Sequence, residues 1–345
     1  MKEHVENAVA TLADMLQNSE LREEAIESER GVITRELEEV ENSIEEVVTD
    51  KLHETAYQGT PMAYTILGPV KNIRSITRQQ IREYVSSHFI APRMILVGTG
   101  KVSHDKLVKL AEKHFSNLPT APSFGSHPKV LPARYTGSDI RIHNESFPYT
   151  RLAIGFEGPE YSSADTYPMM LISNLLGAWD KGSGSAKNVS STMCQKVAES
   201  DLARSIGTFN FSYSDTSLFG VSAVAQPEHL EDLSFVIMNE LVKLCFKVND
   251  ADVARSRNAL KSQLLSQYDG SSSALNDEIG KNLIYYGRRL TPAEIFSRVD
   301  AIDADAVKRV AMKYFYDRDP VMAAYGDISH IPDYSWLRSW TYWLR

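Results

Sequence analysis

Cysteine is almost missing from this chain: Cys194 and Cys245 are the only two in 345 residues. Two thiols cannot build a disulfide framework or a thiolate zinc site, and so few suit a reducing compartment. Long apolar runs are missing too, since no stretch of about 18 hydrophobic residues occurs that could cross a bilayer as a helix. The nine histidines include no pair four residues apart with a glutamate between them. No helix face here therefore offers two imidazoles to one zinc ion. The glycine-rich segment 177–185 lacks the Lys-Ser/Thr pair and strand context of a P-loop, so it reads as a loop and not as a phosphate cradle. An Arg-rich leader is lacking as well. Met1-Lys2-Glu3-His4 opens an acidic amphipathic helix, and any organelle address of a parent protein is expected ahead of it.

What the chain does have is concentrated acid. Residues 20–50 hold twelve acids against three bases, a local balance of −9 that outweighs the whole chain's −8. A field of this sign attracts cations and basic peptides and repels nucleic acid.

The chain also repeats itself. Glu3-His4-Val5-Glu6 is echoed by Glu228-His229-Leu230-Glu231, and Ile76, Phe89 and Gly98 are echoed by Ile302, Phe315 and Gly326. The offset holds at about 225 to 228 residues, the mark of a duplicated domain and not of a short solenoid. The second copy carries a lead-in, from about residue 138 to 227, that has no counterpart before Glu3. The first copy is accordingly expected to be short by about 90 residues at its front.

Apolar residues at helical spacing predict helices over 3–18, 21–50, 77–88 and 103–117, with a strand at 93–98 between the last two. The proline-rich stretch 119–137 reads as an interdomain linker. Beyond it, strands are predicted near 140–142, 150–156, 205–213, 216–225 and 321–325, with helices over 163–178, 228–246, 250–268, 273–287 and 303–315. Helices and strands in blocks, without regular alternation, predict an α+β fold: two duplicated two-layer α/β sandwich domains. Residues 1–118 form the incomplete first domain, 119–137 the linker and 138–345 the second domain. Missing strands would leave sheet edges and an apolar helix face uncovered, so 1–118 is expected to be marginally stable while 130–345 folds by itself. The aromatic tail from Tyr334 to Trp343 is expected to pack on its own domain.

One constellation stands out for chemistry. Between the copies, Glu29 faces Ser256 and Glu36 faces Gln263, while Arg30 matches Arg257 and Leu37 matches Leu264. The framework is shared, but these two carboxylates belong to the first copy alone. Seven residues make nearly two helical turns, so Glu29 and Glu36 share a face; Glu46 and Asp50, spaced i and i+4, share another. Such faces hold a metal with other ligands, grip a cationic side chain, or simply meet water. His53 is expected to pack or hydrogen-bond within its helix.

The run from Ser28 to Val40 (Ser-Glu-Arg-Gly-Val-Ile-Thr-Arg-Glu-Leu-Glu-Glu-Val), the run from Leu52 to Pro61 (Leu-His-Glu-Thr-Ala-Tyr-Gln-Gly-Thr-Pro) and Ile66-Leu67-Gly68-Pro69 resemble the β-type subunits of mitochondrial processing peptidases. These are a branch of the pitrilysin-like inverted-zincin metallopeptidases that includes the core 1 proteins of respiratory cytochrome bc1 complexes. Tyr285-Tyr286-Gly287-Arg288-Arg289 and Ile331-Pro332-Asp333-Tyr334 extend the likeness over essentially the whole chain.

The resemblance implies that Glu36 is the distal ligand of a zinc ion whose other ligands and base come from an H-x-x-E-H helix. It implies that Glu29 is the supporting carboxylate, and that Glu46 and Asp50 receive the arginine before a presequence cleavage site. The H-x-x-E-H helix would lie ahead of Met1. A single carboxylate does not hold catalytic zinc, so the isolated chain is expected to bind none and to be inactive as a peptidase. Implied partners are a processing-peptidase α subunit, basic presequence peptides and, in a core 1 role, bc1 subunits; no nucleic acid is implied. The implied place is the mitochondrial matrix or the matrix face of the inner membrane.

Overall fold

The computed structural model describes residues 2–122, 129–184 and 189–342. Parts of the expected linker (123–128), of the glycine-rich loop (185) and of the aromatic tail (343) lie outside the described residues. In chain order the helices are α1 (Val5–Gln17), α2 (Glu23–Asn42), α3 (Ile44–Ala56), α4 (Val70–Ser75), α5 (Arg78–His88), α6 (His104–Phe115), α7 (Thr166–Leu176), α8 (Thr192–Glu199), α9 (Leu230–Lys243), α10 (Asp250–Gly270), α11 (Ser272–Tyr286), α12 (Pro292–Asp300), α13 (Ala304–Tyr314) and α14 (Tyr334–Ser339). The strands are β1 (Asp139–His143), β2 (Thr150–Gly158), β3 (Ala178–Asp180), β4 (Ser205–Ser212), β5 (Ser217–Ala225) and β6 (Val321–Gly326).

Moved by the repeat offset, α1, α2, α3 and α5 fall on α9, α10, α11 and α13. One buttress recurs with them. The Arg30 guanidinium of α2 donates to the carbonyls of Arg74 and Ile76, the latter at 2.5 Å, and Arg257 of α10 donates to the carbonyl of Asp300 at 2.8 Å. In both copies an arginine thus ties the long helix to the turn where the next helix begins. That next helix starts on a side-chain cap each time: Thr77 with Gln80 in a reciprocal capping box for α5, and Asp303 accepting from the Ala306 amide for α13.

The residues fall into two compact units that do not follow chain order. Unit 1 is Met1–Glu38, Ile66–Val130 and Leu265–Leu290; unit 2 is Glu39–Thr65, Leu131–Leu264 and Thr291–Arg345. Each copy therefore contributes its third long helix to the other copy's unit: α3 belongs to unit 2 and α11 to unit 1. The helix expected over 21–50 is broken to allow this. Ser43 is extended (φ −90, ψ 100) between α2 and α3, at an Asn-Ser step whose side chains compete with helical backbone bonding.

Unit 2 is built on a six-stranded sheet ordered β1-β6-β2-β5-β4-β3, in which β1 and β6 run parallel and the other pairs antiparallel. Alternation along β2 sends Leu152, Ile154 and Phe156 to one face and Ala153 to the other. Phe156 meets Phe315, just past α13, at 5.4 Å between ring centroids, and α7 and α13 cover that face. The opposite face is covered by α3, whose Val48, Leu52 and Ala56, with Tyr57 just beyond it, pack on Ala153, Leu218, Val321 and Ala323. Burying one such leucine contributes about 1.5–3 kcal/mol. Residues from the expected linker also belong here: the Thr136 amide donates to the Ala56 carbonyl, and the Ala133 amide to Asp215.

The described residues of unit 1 form helices and no sheet. Among its described residues the expected strand at 93–98 pairs with nothing: 91–93 form a short 3-10 turn and 94–98 run as irregular chain. A strand needs a neighbour to take its backbone hydrogen bonds. In the second copy those neighbours are β1 and β2.

Candidate functional site

The four carboxylates singled out from the sequence sit on consecutive helices. Glu29 and Glu36 lie on α2 within unit 1, both exposed, and Glu46 and Asp50 lie on α3 within unit 2, the first exposed and the second half-buried. Glu29 stands on the wall of an apolar cavity of about 800 Å³ in unit 1, beside Arg30, Ile26, Ile33 and Ile73. The Arg30 bonds described above fix the stretch of α2 that carries Glu29. Glu36 is not part of that cavity. Among the described residues no three His, Cys, Asp or Glu side chains gather as a metal site would require.

On α3 the structure shows a relationship that the sequence does not. Burial pushes the Asp50 carboxyl above the ordinary range, against opposing pulls from His53 and Lys51. His53, one turn on, is pulled below its usual value chiefly by burial, with the Thr49 carbonyl and Asp50 working the other way. Its ring Nδ1 donates to the Thr49 carbonyl at 2.8 Å, and its Nε2 lies 2.7 Å from the Tyr213 hydroxyl. A neutral imidazole satisfies both contacts, with Nδ1 protonated and Nε2 accepting from Tyr213. The ring also rests against Phe211, with centroids 5.0 Å apart. His53 therefore anchors α3 on the sheet in neutral form, and Lys51, the cation that pulls on Asp50, is ion-paired with Glu54 at 2.7 Å. Asp50, a half-desolvated carboxylate one turn from exposed Glu46, is suited to receive a guanidinium from outside.

Sequence reasoning missed a second feature of unit 2. Glu45 pairs with Arg151 of β2 at 2.9 Å, and the pair stands at one side of a cavity of about 570 Å³ over the α3 face of the sheet, lined by Trp179, Ser205, Gly207 and Phe209. Glu45 counted only as one more acid in a run. Its partner lies more than a hundred residues away, and no local pattern announces it. The glycine-rich loop borders this cavity through Ser183 and Gly184, and its first residues form the edge strand β3 rather than loop.

Comparison with known proteins bears on these residues. Residues 1–70 match the family model "Insulinase (Peptidase family M16)", and residues 75–260 match "Peptidase M16 inactive domain". The "Probable mitochondrial-processing peptidase subunit beta, mitochondrial" of Arabidopsis thaliana is 46% identical over 343 residues, which is 99% of this chain and 64% of that protein. The human mitochondrial-processing peptidase subunit beta is 41% identical over 338 residues, 98% of this chain and 69% of its own length. Human cytochrome b-c1 complex subunit 1 is 38% identical over 338 residues, 98% of this chain and 70% of its own length. In fold, a chain of "Complex III2 from Candida albicans, Inz-5 bound" superposes with a TM-score of 0.90 at 23% identity, over 99% of this chain and 81% of that one. The chain spans less than two thirds of the Arabidopsis relative.

Proposed function

This chain belongs to the M16 peptidase family, and from that premise we propose that it is a β-type processing-peptidase polypeptide whose parent enzyme cleaves basic presequences as a zinc metalloendopeptidase. The observation that carries this reading is the half-buried Asp50 beside exposed Glu46, a carboxylate pair held open on a helix that His53 and Tyr213 lock in place. In this reading Glu46 and Asp50 take the arginine of the presequence. Glu36 is one zinc ligand of the parent enzyme and Glu29 its supporting carboxylate. The residues present do not make a zinc site by themselves, since one exposed glutamate is a single ligand where catalytic zinc takes three from protein. No hydrolytic step is therefore assigned to this chain alone, and it is inactive as a peptidase in isolation. Its partners are a processing-peptidase α subunit and basic presequence peptides, and its place is the mitochondrial matrix or the matrix face of the inner membrane. No described helix is long and apolar enough to cross a membrane.

A core 1 type role in a cytochrome bc1 complex is the second reading, favoured by the 38% identity to human cytochrome b-c1 complex subunit 1 over nearly the whole chain. Binding of a fluorescent Arg-containing presequence peptide separates the two. The peptidase reading predicts salt-sensitive binding that Glu46→Gln or Asp50→Asn weakens about tenfold, the worth of one charge-assisted hydrogen bond. Binding that neither substitution alters, with recovery of the chain in a bc1 assembly, would favour the core 1 role.

A further inference from the structure

One end of the unit 2 sheet gathers charge of the opposite sign to that of α3. Tyr149 just before β2, Lys181 just after β3, Arg204 just before β4 and Gln226 just after β5 come together there, because the antiparallel register brings those strand ends side by side. With Asp201 and His229 they line a cavity of about 460 Å³. In a chain of net charge −8 this lining is basic: Lys181, Arg204 and, when protonated, His229 stand against Asp201 as its one acid.

The sheet places the two permanent cations. The Arg204 amide donates to the Val224 carbonyl at 2.7 Å, and the Arg204 carbonyl accepts from the Lys181 amide at 2.8 Å, so both side chains start from fixed main chain. Their charges are held differently. The Lys181 ammonium donates to both Asp201 oxygens, at 2.6 and 2.9 Å, and holds that carboxyl below its ordinary range, with a further pull from His229. Asp201 does this at φ +50, a conformation uncommon outside glycine. Arg204 pairs with no carboxylate among the described residues; its guanidinium lies over the Tyr149 ring, 5.4 Å from the centroid. Stacking orients the guanidinium and leaves its N–H donors free. The His229 ring likewise has no hydrogen-bond partner among the described residues.

We propose that this cavity binds a phosphoryl group, borne by a small soluble phosphate or by a lipid headgroup. A phosphoryl group offers three acceptor oxygens: the Arg204 fork suits two of them, which leaves Lys181 and His229 for the third. A carboxylate has only two oxygens in one plane and would leave donors unused. The proposal is independent of the α3 carboxylates, since a basic presequence is repelled by this lining and a phosphate by theirs.

The test is calorimetric titration of the full chain with inorganic phosphate at fixed ionic strength, with acetate as the control anion. Flotation with phosphatidylcholine vesicles, with and without phosphatidic acid, tests the lipid source. Phosphate should bind at least about tenfold more tightly than acetate, and Arg204→Met should weaken it about tenfold, the worth of one charge-assisted hydrogen bond. Arg204→Lys should recover part of that loss, because it keeps the charge without the fork. Asp201→Asn should act the other way and tighten binding, since it removes the acid, frees Lys181 and keeps a residue type that tolerates positive φ. All three substitutions fall at exposed positions, and unchanged melting temperatures check that the fold is kept. Capture by phosphatidic acid vesicles without a response to inorganic phosphate, lost in Arg204→Met, would assign the phosphoryl group to a lipid. No response to either probe overturns the proposal. Equal affinity for acetate, binding indifferent to Arg204→Met, or weaker binding by Asp201→Asn overturns it as well.

Discussion

Residues 321–326 and residues 93–98 are the same element written twice, and only one of them is a strand. Val-Met-Ala-Ala-Tyr-Gly becomes the second strand of a six-stranded sheet with its interior positions fully buried, whereas Arg-Met-Ile-Leu-Val-Gly stays irregular with its isoleucine half in water. Local propensity favours the first copy if anything, since Ile and Val prefer strands to the alanines of β6. The difference lies in the neighbours. A sheet is a property of several segments at once, and among the described residues 94–98 has no neighbouring strand to pair with.

The sharpest way to break this comparison is to put one charge at both places. Ala323→Asp would bury an unpaired carboxylate in the centre of the unit 2 sheet and should cost at least about 3 kcal/mol, or prevent folding altogether. Ile95→Asp, at the equivalent position of unit 1, should stay within about 0.5 kcal/mol of the parent. Urea unfolding of the two variants reads both. Equal losses would mean that 94–98 is as enclosed as β6.

A second prediction follows from the exchange of helices between units. Leu52 belongs to the first copy by sequence but packs on the sheet of unit 2, so Leu52→Ala should cost about 2–5 kcal/mol and loosen β2, β5 and β6 rather than the helices of unit 1. For the same reason a fragment of residues 130–345 should be less stable than its complete sheet suggests, because it lacks the helix that covers Ala153, Leu218 and Val321. The sequence alone points the other way, towards independent folding of that fragment. Hydrogen exchange resolved by strand checks both expectations.

Much of this was legible beforehand. Helical spacing located most of the long helices, the repeat located their duplicates, and the motifs around Glu29, Glu36 and His53 pointed to the M16 family that the comparisons show. Four features were not legible, and each depends on contacts far apart in sequence. The break at Ser43 looks like any polar step until α3 is seen to leave for the other unit. The strand at 93–98 has every local sign of a strand and lacks only partners. The contact of His53 with Tyr213 spans 160 residues, and the pairing of Glu45 with Arg151 is equally remote from any local pattern. The four carboxylates were singled out by the repeat and by helical spacing, and the resemblance supplied their roles. Their contrast of exposure, with Asp50 partly enclosed and the other three in water, needed the fold.

Smaller effects refine the account of α3. Burial lowers the His53 pKa, so folding favours the neutral ring. The stability this contributes is present above the ordinary histidine value of about 6.5 and is lost as pH falls through the folded value. Thermal stability should therefore decline on acidification below about pH 6.5, and His53→Phe should flatten part of that decline at the cost of the Tyr213 bond. A decline of the same size in the variant would assign it to other groups. The effect at Asp50 has the opposite sign and is the smallest. Burial raises its pKa, so the charged form costs stability once pH exceeds the folded value. Asp50→Asn should accordingly stabilise the chain slightly at neutral pH and leave it unchanged below about pH 4, near the ordinary carboxylate value. Melting temperatures across that range test the sign.

The most direct test of the central claim compares the two copies within one sample. Native-state hydrogen exchange of the full chain, followed at the amides of 94–98 and of 321–326, is predicted to show β6 exchanging only through the deepest unfolding of unit 2. The amides of 94–98 should exchange at least about a hundredfold faster. Comparable protection of the two segments would contradict the account, because it would mean that the first copy closes its sheet without the strands that close the second.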